Sequence, residues 1–422
     1  MRTQAKLKTI YGEVVLATLA LVLMAIAAGP MAQSAQASTA DCSGTLQSRI
    51  NNAPAGSTIN IAGCTFREQV TVNKALTIDG GGTARVKGSE IFSGFSASGG
   101  NYVSSQSVPT LSYVGEADDC ADGVVSCLWE EQVFVNGVEQ TQLANGSEPG
   151  PGEFKLDMNR KVVLGSDPSG KFVEVTTRES WLKATAAGVT VRGVNFAHLS
   201  NAPQTGGVVG NQGFQFLGGS VSHTHGVGID LGTEAQATGV LVDGTHVHHT
   251  GHMGLKGTEV AATVRNLECH DINEQMFRPG WASGCMKNTK VKSLLVENNH
   301  VYDAYGHGFW CDNCQQHGAA DNLIYQNNVI HDTTRAGIDV EISVAGRILD
   351  NVIYDAGYGD SSGWWGAGIL SSSSSDFEIA GNVLFDNADG IMVLSANREQ
   401  MQLVKNMYVH DNTVICMCRT TR

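Results

Sequence analysis

From about residue 187 the chain repeats one alternation of apolar and polar positions. An apolar strand ends in Asn or Gly. The segment apolar-x-(His/Tyr/Phe)-Asp follows, then a short turn, a Gly and another strand. Instances are Asn266-Leu267-Glu268-Cys269-His270-Asp271, Asn299-His300-Val301-Tyr302-Asp303, Asn328-Val329-Ile330-His331-Asp332, Asn351-Val352-Ile353-Tyr354-Asp355, Asn382-Val383-Leu384-Phe385-Asp386 and Met407-Tyr408-Val409-His410-Asp411. Weaker rungs, Gly193-Val194-Asn195-Phe196 and Gly244-Thr245-His246-Val247-His248, precede them. Repeats of variable length in the twenties to low thirties signal a solenoid. Period-two strands, β-branched residues and turn Asn or Gly predict stacked β-coils rather than helical repeats. Asn at a fixed turn position tolerates positive φ and can stack as a side-chain ladder. The expected fold class is all-β, a right-handed parallel β-helix, the hand following from the preference of parallel crossovers.

The repeat has two expected additions. Thr45 to Ala53 reads as a short amphipathic helix with Leu46 and Ile50 on its apolar face, a cap over the open end of the coil. Residues about 100 to 180 break the repeat with short alternating runs, such as Gln132 to Gly137 and Lys161 to Leu164, and turn signals such as Asn136-Gly137. They predict an inserted antiparallel β-domain. The expected division is 1–38 leader, 39–98 cap and first coils, 99–182 insert and 183–422 main β-helix. The last residues, Thr413 to Arg422, stop in mid-rung without a polar cap, so the native C-terminus is expected to be incomplete.

Arg2, Lys6 and Lys8 precede an apolar run from Val14 to Ala28, and Ala35-Gln36-Ala37 offers a small-residue cleavage site. This reads as a secretory leader rather than a membrane anchor, which needs about 20 apolar residues. The mature protein is expected to be secreted, soluble and monomeric. A net charge of −14 argues against nucleic acid and strongly anionic polymers and favours a neutral polysaccharide or oligosaccharide. All ten cysteines follow the leader, so disulfides are expected, with Cys42–Cys64 and Cys120–Cys127 as pairs. Cys311-Asp312-Asn313-Cys314 has C-x-x-C spacing without a βαβ context; zinc held with His307 and His317 is the sharper alternative to a disulfide.

The candidate chemistry lies in Gly308-Phe309-Trp310-Cys311-Asp312 and Gly337-Ile338-Asp339-Val340-Glu341. Each acid ends a stretch nine residues beyond a repeat Asp, so Asp312 and Glu341 share a phase and should be vertical neighbours, with backbones about 4.8 Å apart. Alternation puts Phe309, Cys311, Ile338 and Val340 inside the coil and Trp310, Asp312, Asp339 and Glu341 outside. Two outward carboxylates about 5–5.5 Å apart suit a retaining glycosidase, one protonated and one ionised. Trp310 is a platform for a sugar ring. Ca²⁺ bound by Asp312, Asp339 and Glu341 is a second reading. Lys287 falls about one rung before Asp312, with Lys290 and Lys292 as competitors; it could bind substrate or serve as a lyase base. Trp281, Arg278, Trp364, Trp365 and His307 are candidates for the cleft walls, although one of Trp364 and Trp365 could plug the coil. Counting from Gly368 places Ser372 above Glu341. The dense histidines His246, His248, His249 and His252 suggest metal, but His246 and His248 alternate with Val247 in a strand, and His270, His331 and His410 fall at the repeat's His-Asp slot, a periodicity that favours packing.

Trp310-x-Asp312, Glu341 one rung later and then Asp350-Asn351 resemble the Trp-x-Asp … Glu-Val … Asp-Asn-Asn pattern of the β-helix β-xylosidases of glycoside hydrolase family 120. The inserted β-domain is also similar to that family. The central segment resembles a broader set of secreted, pectate-lyase-like bacterial β-helix proteins. The family resemblance implies Asp312 as nucleophile and Glu341 as acid/base. No cofactor is expected, with Ca²⁺ as the alternative. A polysaccharide lyase using Lys287 and Ca²⁺, and a non-catalytic carbohydrate-binding β-helix, are the alternatives.

Overall fold

The computed structural model describes residues 40–144, 146–232, 237–314, 323–360, 362–396 and 404–415. The expected leader, His317 and the chain end from Cys416 lie outside these residues. Parallel strands stack in register turn upon turn, and each full turn of the coil contributes three strands to three parallel stacks. Their inward side chains form one continuous core, running from Leu46 and Ile50 through Phe196, Phe216 and Val264 to Ile379 and Leu384.

The stack that concerns the site contains β1 (Met253–Thr258), β2 (Gly284–Thr289), β3 (His307–Asp312), β4 (Ile338–Glu341), β5 (Ile369–Ser372) and β6 (Ile391–Leu394). At the first end, α1 (Leu46–Asn52) buries Leu46 and Ile50 against the coil. Thr45 caps it by accepting from Ser48 N–H at 3.1 Å, and the Glu68 carboxylate accepts from Leu46 and Gln47 N–H. The insert pairs mostly antiparallel and has its own core of Phe92, Val133, Phe154, Val162 and Val173. Antiparallel pairing begins at Ser89, ahead of the expected 99, where Ser89–Phe92 pairs with Val173–Thr176.

Two ladders explain why Asn and His/Tyr/Phe recur. Asn299, Asn328, Asn351, Asn382 and Asn412 pass one amide bond per rung, Nδ2–H to Oδ1, each at 2.9 Å. The preceding residues, Asn298, Asn327, Asp350 and Gly381, take the positive φ. Turn geometry and ladder bonding are thus divided between adjacent positions. On the neighbouring outer column His270, Tyr302, His331, Tyr354 and Phe385 stack ring on ring, centroids 4.6–5.3 Å apart. At the corner beyond, Asp271, Asp303, Asp332, Asp355 and Asp386 all have φ near +50°. The repeated His-Asp slot is therefore a packing and corner device over these rungs.

The last repeat is out of register with this reading. His410 pairs beside Ala380 rather than Phe385, Ile415 takes the place beside Phe385, and Asn412 extends the amide ladder. At this rung alone the ladder corner also has an apolar and an aromatic residue, Val409 and His410, before a positive-φ Asp, so the local pattern does not distinguish it from the ring corner. The serine run also crosses a corner: Ser371 and Ser372 end β5, Ser373 has φ +51°, and Ser375 opens the next strand.

Among the described residues there are four disulfides, Cys42–Cys64, Cys120–Cys127, Cys269–Cys285 and Cys311–Cys314. The first two match expectation, and the last replaces the zinc alternative. Among the described residues no helix is long and apolar enough to cross a membrane. Cys42–Cys64 closes a loop between the cap segment and the first rung. Its removal in a Cys42→Ser/Cys64→Ala protein should lower stability by about 2–4 kcal/mol. Amide exchange should rise first in α1; unchanged protection there would show that the bond does not hold the cap.

Candidate active site

Gly308 and Gly337 open the two acid-bearing stretches because the rungs approach closely. A Cβ at Gly308 would lie 2.4 Å from the Gly337 carbonyl oxygen, and one at Gly337 would lie 2.5 Å from an Ile353 methyl. From these entries the chain alternates as expected: Phe309, Cys311, Ile338 and Val340 are in the coil core. The outer face carries two columns. Lys287, Trp310, Asp339 and Leu370 form one; Thr289, Asp312, Glu341 and Ser372 form the other. Asp312 and Glu341 are thus in-register neighbours on β3 and β4, with Ser372 next to Glu341.

Lys287 falls opposite Trp310 rather than Asp312, but its long side chain reaches across. Its Nζ lies 3.5 Å from Asp312 Oδ2, donates to the Trp281 carbonyl at 3.1 Å and sits 3.4 Å from the Trp310 ring centroid. Trp310 Nε1–H donates to Glu341 Oε2 at 3.1 Å, and Asn313 Nδ2–H donates to Asp312 Oδ1 at 3.1 Å. Lys290 and Lys292 use their backbone N–H groups on Asp312 and Val260 carbonyls. Lys287 is the lysine of this cluster. Burial draws its ammonium below the usual lysine range, and Asp312 and Glu341 oppose that shift.

Trp310 is not an open platform. It is 5% exposed, its ring face is covered by the Lys287 ammonium, and His307 lies 4.6 Å away. Its role in this arrangement is to hold Glu341 through the indole N–H. Asp339 is fully buried, and among the described residues neither carboxyl oxygen has a hydrogen-bond partner. Burial, reinforced by Glu341, pushes its carboxyl well above the usual carboxylate range. His307, also buried, has Nδ1 3.7 Å from Asp339. Neither reaches the surface as a sugar contact.

The Ca²⁺ reading of Asp312, Asp339 and Glu341 is not supported by their placement. Among the described residues they do not gather their oxygens at one point, since Asp339 belongs to the Trp310 column and is closed off from solvent.

Trp281 lies in α2 (Pro279–Ala282), stacks on His252 at 5.2 Å and joins the site through its carbonyl. Trp281 and Phe277 also pack on the Cys120–Cys127 loop of the insert, and Arg278 N–H bonds to the Asp119 carbonyl there. Trp365 packs outside the coil against Ala336, Ala367 and Leu370, and Trp364 is exposed, so neither plugs the interior. The sequence reading missed Arg335, which draws the Asp339 carboxyl downward and lies 3.7 Å from Asp360. Its only signal was its place just before Gly337. It also missed the Cys269–Cys285 bond, which ties two strands of one turn.

A cavity of about 460 Å³ lies on the same stack, lined by Lys183, Thr205, Asn211, Asp230 and Lys256. Asp230 and Lys256 belong to the column that continues into Lys287 and Trp310 on the next two strands. The cavity does not include Asp312 or Glu341.

A family model described as a right handed beta helix region matches residues 207–384. Among solved structures, the chain is similar to XylC in complex with xylose, with a TM-score of 0.67 and 14% identity, over 88% of this chain and 82% of that one. It is also similar to a structure named as a glycoside hydrolase, with a TM-score of 0.61 and 12% identity, over 86% of this chain and 90% of that one. A search of curated protein sequences returned no match. The fold is a right-handed parallel β-helix with a cap helix and an inserted antiparallel β-domain.

Proposed function

We propose that the protein is an exported carbohydrate-active enzyme, a retaining glycoside hydrolase on a neutral plant-type polysaccharide or oligosaccharide. The observation that carries this reading is the in-register pair Asp312 and Glu341 on one outer face, each held by a neighbour from the same cluster. Asp312, partly exposed and beside the Lys287 ammonium, is the nucleophile. It attacks the anomeric carbon as Glu341 passes a proton to the departing glycosidic oxygen. The resulting glycosyl ester is then cleaved by water, with Glu341 taking the water proton. The Trp310 N–H donates to one Glu341 oxygen and orients the carboxyl on the face it shares with Asp312. The two similar structures support a sugar substrate, one by its name and one by its bound xylose. Four disulfides suit an oxidising compartment outside the cytoplasm.

The lyase reading has one observation in its favour, the buried Lys287 with its lowered pKa. Its contacts with Asp312 and the Trp310 ring instead suit a retained ammonium. A screen of aryl glycosides and neutral and uronic polysaccharides, reading reducing ends and unsaturated products, separates the two. Reducing ends without unsaturation are expected. Lys287→Met should lower kcat/KM on glycosides by about 10- to 100-fold, through loss of the charge that holds Asp312. Unsaturated product from the wild type, abolished in Lys287→Met, would replace the hydrolase with a lyase.

A further inference from the structure

The ring column on the second outer face changes character at its early rungs. His246 and Glu268 are paired neighbours on strands His246–Thr250 and Glu268–Ile272, and His248 and His270 are the next pair outward. The Nε2 atoms of His246 and His270 lie 2.6 Å apart. One donor nitrogen from each, together with a Glu268 carboxylate oxygen, gathers within 4.8 Å. We infer that His246, Glu268 and His270 form a binding site for one divalent transition-metal ion of the zinc type, on a face separate from the Asp312 cluster.

The donor chemistry fits. Two imidazoles and one carboxylate make a three-ligand set that leaves one tetrahedral position for water. Outer contacts needed to aim these ligands are already present. Asp271 Oδ2 lies 2.6 Å from His270 Nδ1, which places the ring proton on Nδ1 and turns the Nε2 lone pair toward His246 and Glu268. Tyr302 O–H donates to Glu268 Oε1 at 3.1 Å and leaves the second oxygen for an ion. Tyr302 and His248 stack on His270 from either side, fixing the plane of its ring. In the empty site a ring N–H···N bond joins the two histidines. Entry of an ion requires His246 to carry its proton on Nδ1 and the two nitrogens to part to about 3.3 Å, as tetrahedral geometry at ordinary Zn–N lengths demands. His246 and His270 are half-buried and Glu268 is exposed, so the ion has access.

The molecule contains its own comparison. His300 and His331 repeat the nitrogen pair, at 2.9 Å, and His331 Nδ1 again faces an aspartate, Asp332, at 2.7 Å. Among the described residues that pair has no third ligand within reach; the position after His300 in the Glu268 column is Val329. A second acidic trio, His249, Asp271 and Glu274, lies at the adjoining corner. Packing alone would treat the two histidine pairs alike, whereas metal binding would not.

Calorimetric titration of the tag-free full-length mature chain with zinc chloride, and cobalt(II) absorption in parallel, tests the site. One ion per chain is expected, with a cobalt spectrum of low-coordinate type. Glu268→Gln, an isosteric change at an exposed side chain, and His246→Gln should each weaken binding by at least about tenfold. His300→Gln and Glu274→Gln should leave it unchanged. Circular dichroism identifies any variant that fails to fold, and the exposed Glu268→Gln change keeps the test open in that case. Absence of binding, equal loss in His300→Gln, or loss in Glu274→Gln with Glu268→Gln unaffected would each overturn the assignment.

Discussion

Replacing Asp312 with Ala is expected to reduce turnover of aryl glycosides by at least about 10³-fold, because it removes the carboxylate proposed to form the covalent intermediate. Substrate affinity should change much less. Asp312 ends β3 with its side chain only partly exposed, so the truncation should leave the fold intact. Glu341→Ala should behave differently. It should cost about 10²- to 10⁴-fold on substrates with poor leaving groups and far less on nitrophenyl glycosides, which depart without protonation. Azide should restore part of the lost rate by replacing the water that Glu341 activates, giving a glycosyl azide of retained configuration. Stopped-time assays on a leaving-group series, with and without azide, check both. Full activity in Asp312→Ala would remove the hydrolase mechanism. An azide product of inverted configuration from Glu341→Ala would exchange the roles of the two carboxylates.

The largest stability effect is expected at Asn351, in the middle of the amide ladder. Its Oδ1 accepts from the Asn328 backbone N–H at 3.0 Å and from Asn328 Nδ2–H at 2.9 Å. Its Nδ2–H donates to the Tyr325 carbonyl at 3.0 Å and to Asn382 Oδ1 at 2.9 Å. The residue is fully buried, so Ala would remove four bonds and strand the Asn328 N–H away from water. The expected loss is about 3–5 kcal/mol, given about 1–3 kcal/mol for each buried polar group left unpaired. Asn327→Gly, one rung before, should change stability by less than about 0.5 kcal/mol, since Gly adopts its φ of +55° freely. Guanidinium unfolding midpoints followed by circular dichroism measure the contrast. Equal midpoints for the two variants would show that the ladder marks register without contributing to stability.

Much of this architecture was legible in the chain because a solenoid repeats its own environment. Each rung meets a nearly identical rung above and below, so a pattern of inward apolar residues, turn Asn and stacked rings recurs at the same phase. Phase alone placed Asp312 beside Glu341 and Ser372 beside Glu341, and period-two alternation placed Phe309 and Val340 inside. The same locality misled at the last rung, where Asp411 and Asp386 share a local pattern but occupy different corners.

Tertiary structure alone decided what lies over the outer face. Alternation says that Trp310 and Asp339 leave the coil; it does not say that Lys287 covers the indole or that Asp339 is closed off from water. Those outcomes depend on side chains that cross from one column to the next, and on α2 and the insert loop packed beside them. Disulfide partners and the split of His246 and His270 from the other ring pairs are likewise matters of three-dimensional reach. The physical division is plain. Backbone register follows from a periodic sequence, whereas burial, charge pairing and ligand geometry on a solvent-facing sheet follow from which long side chains meet there.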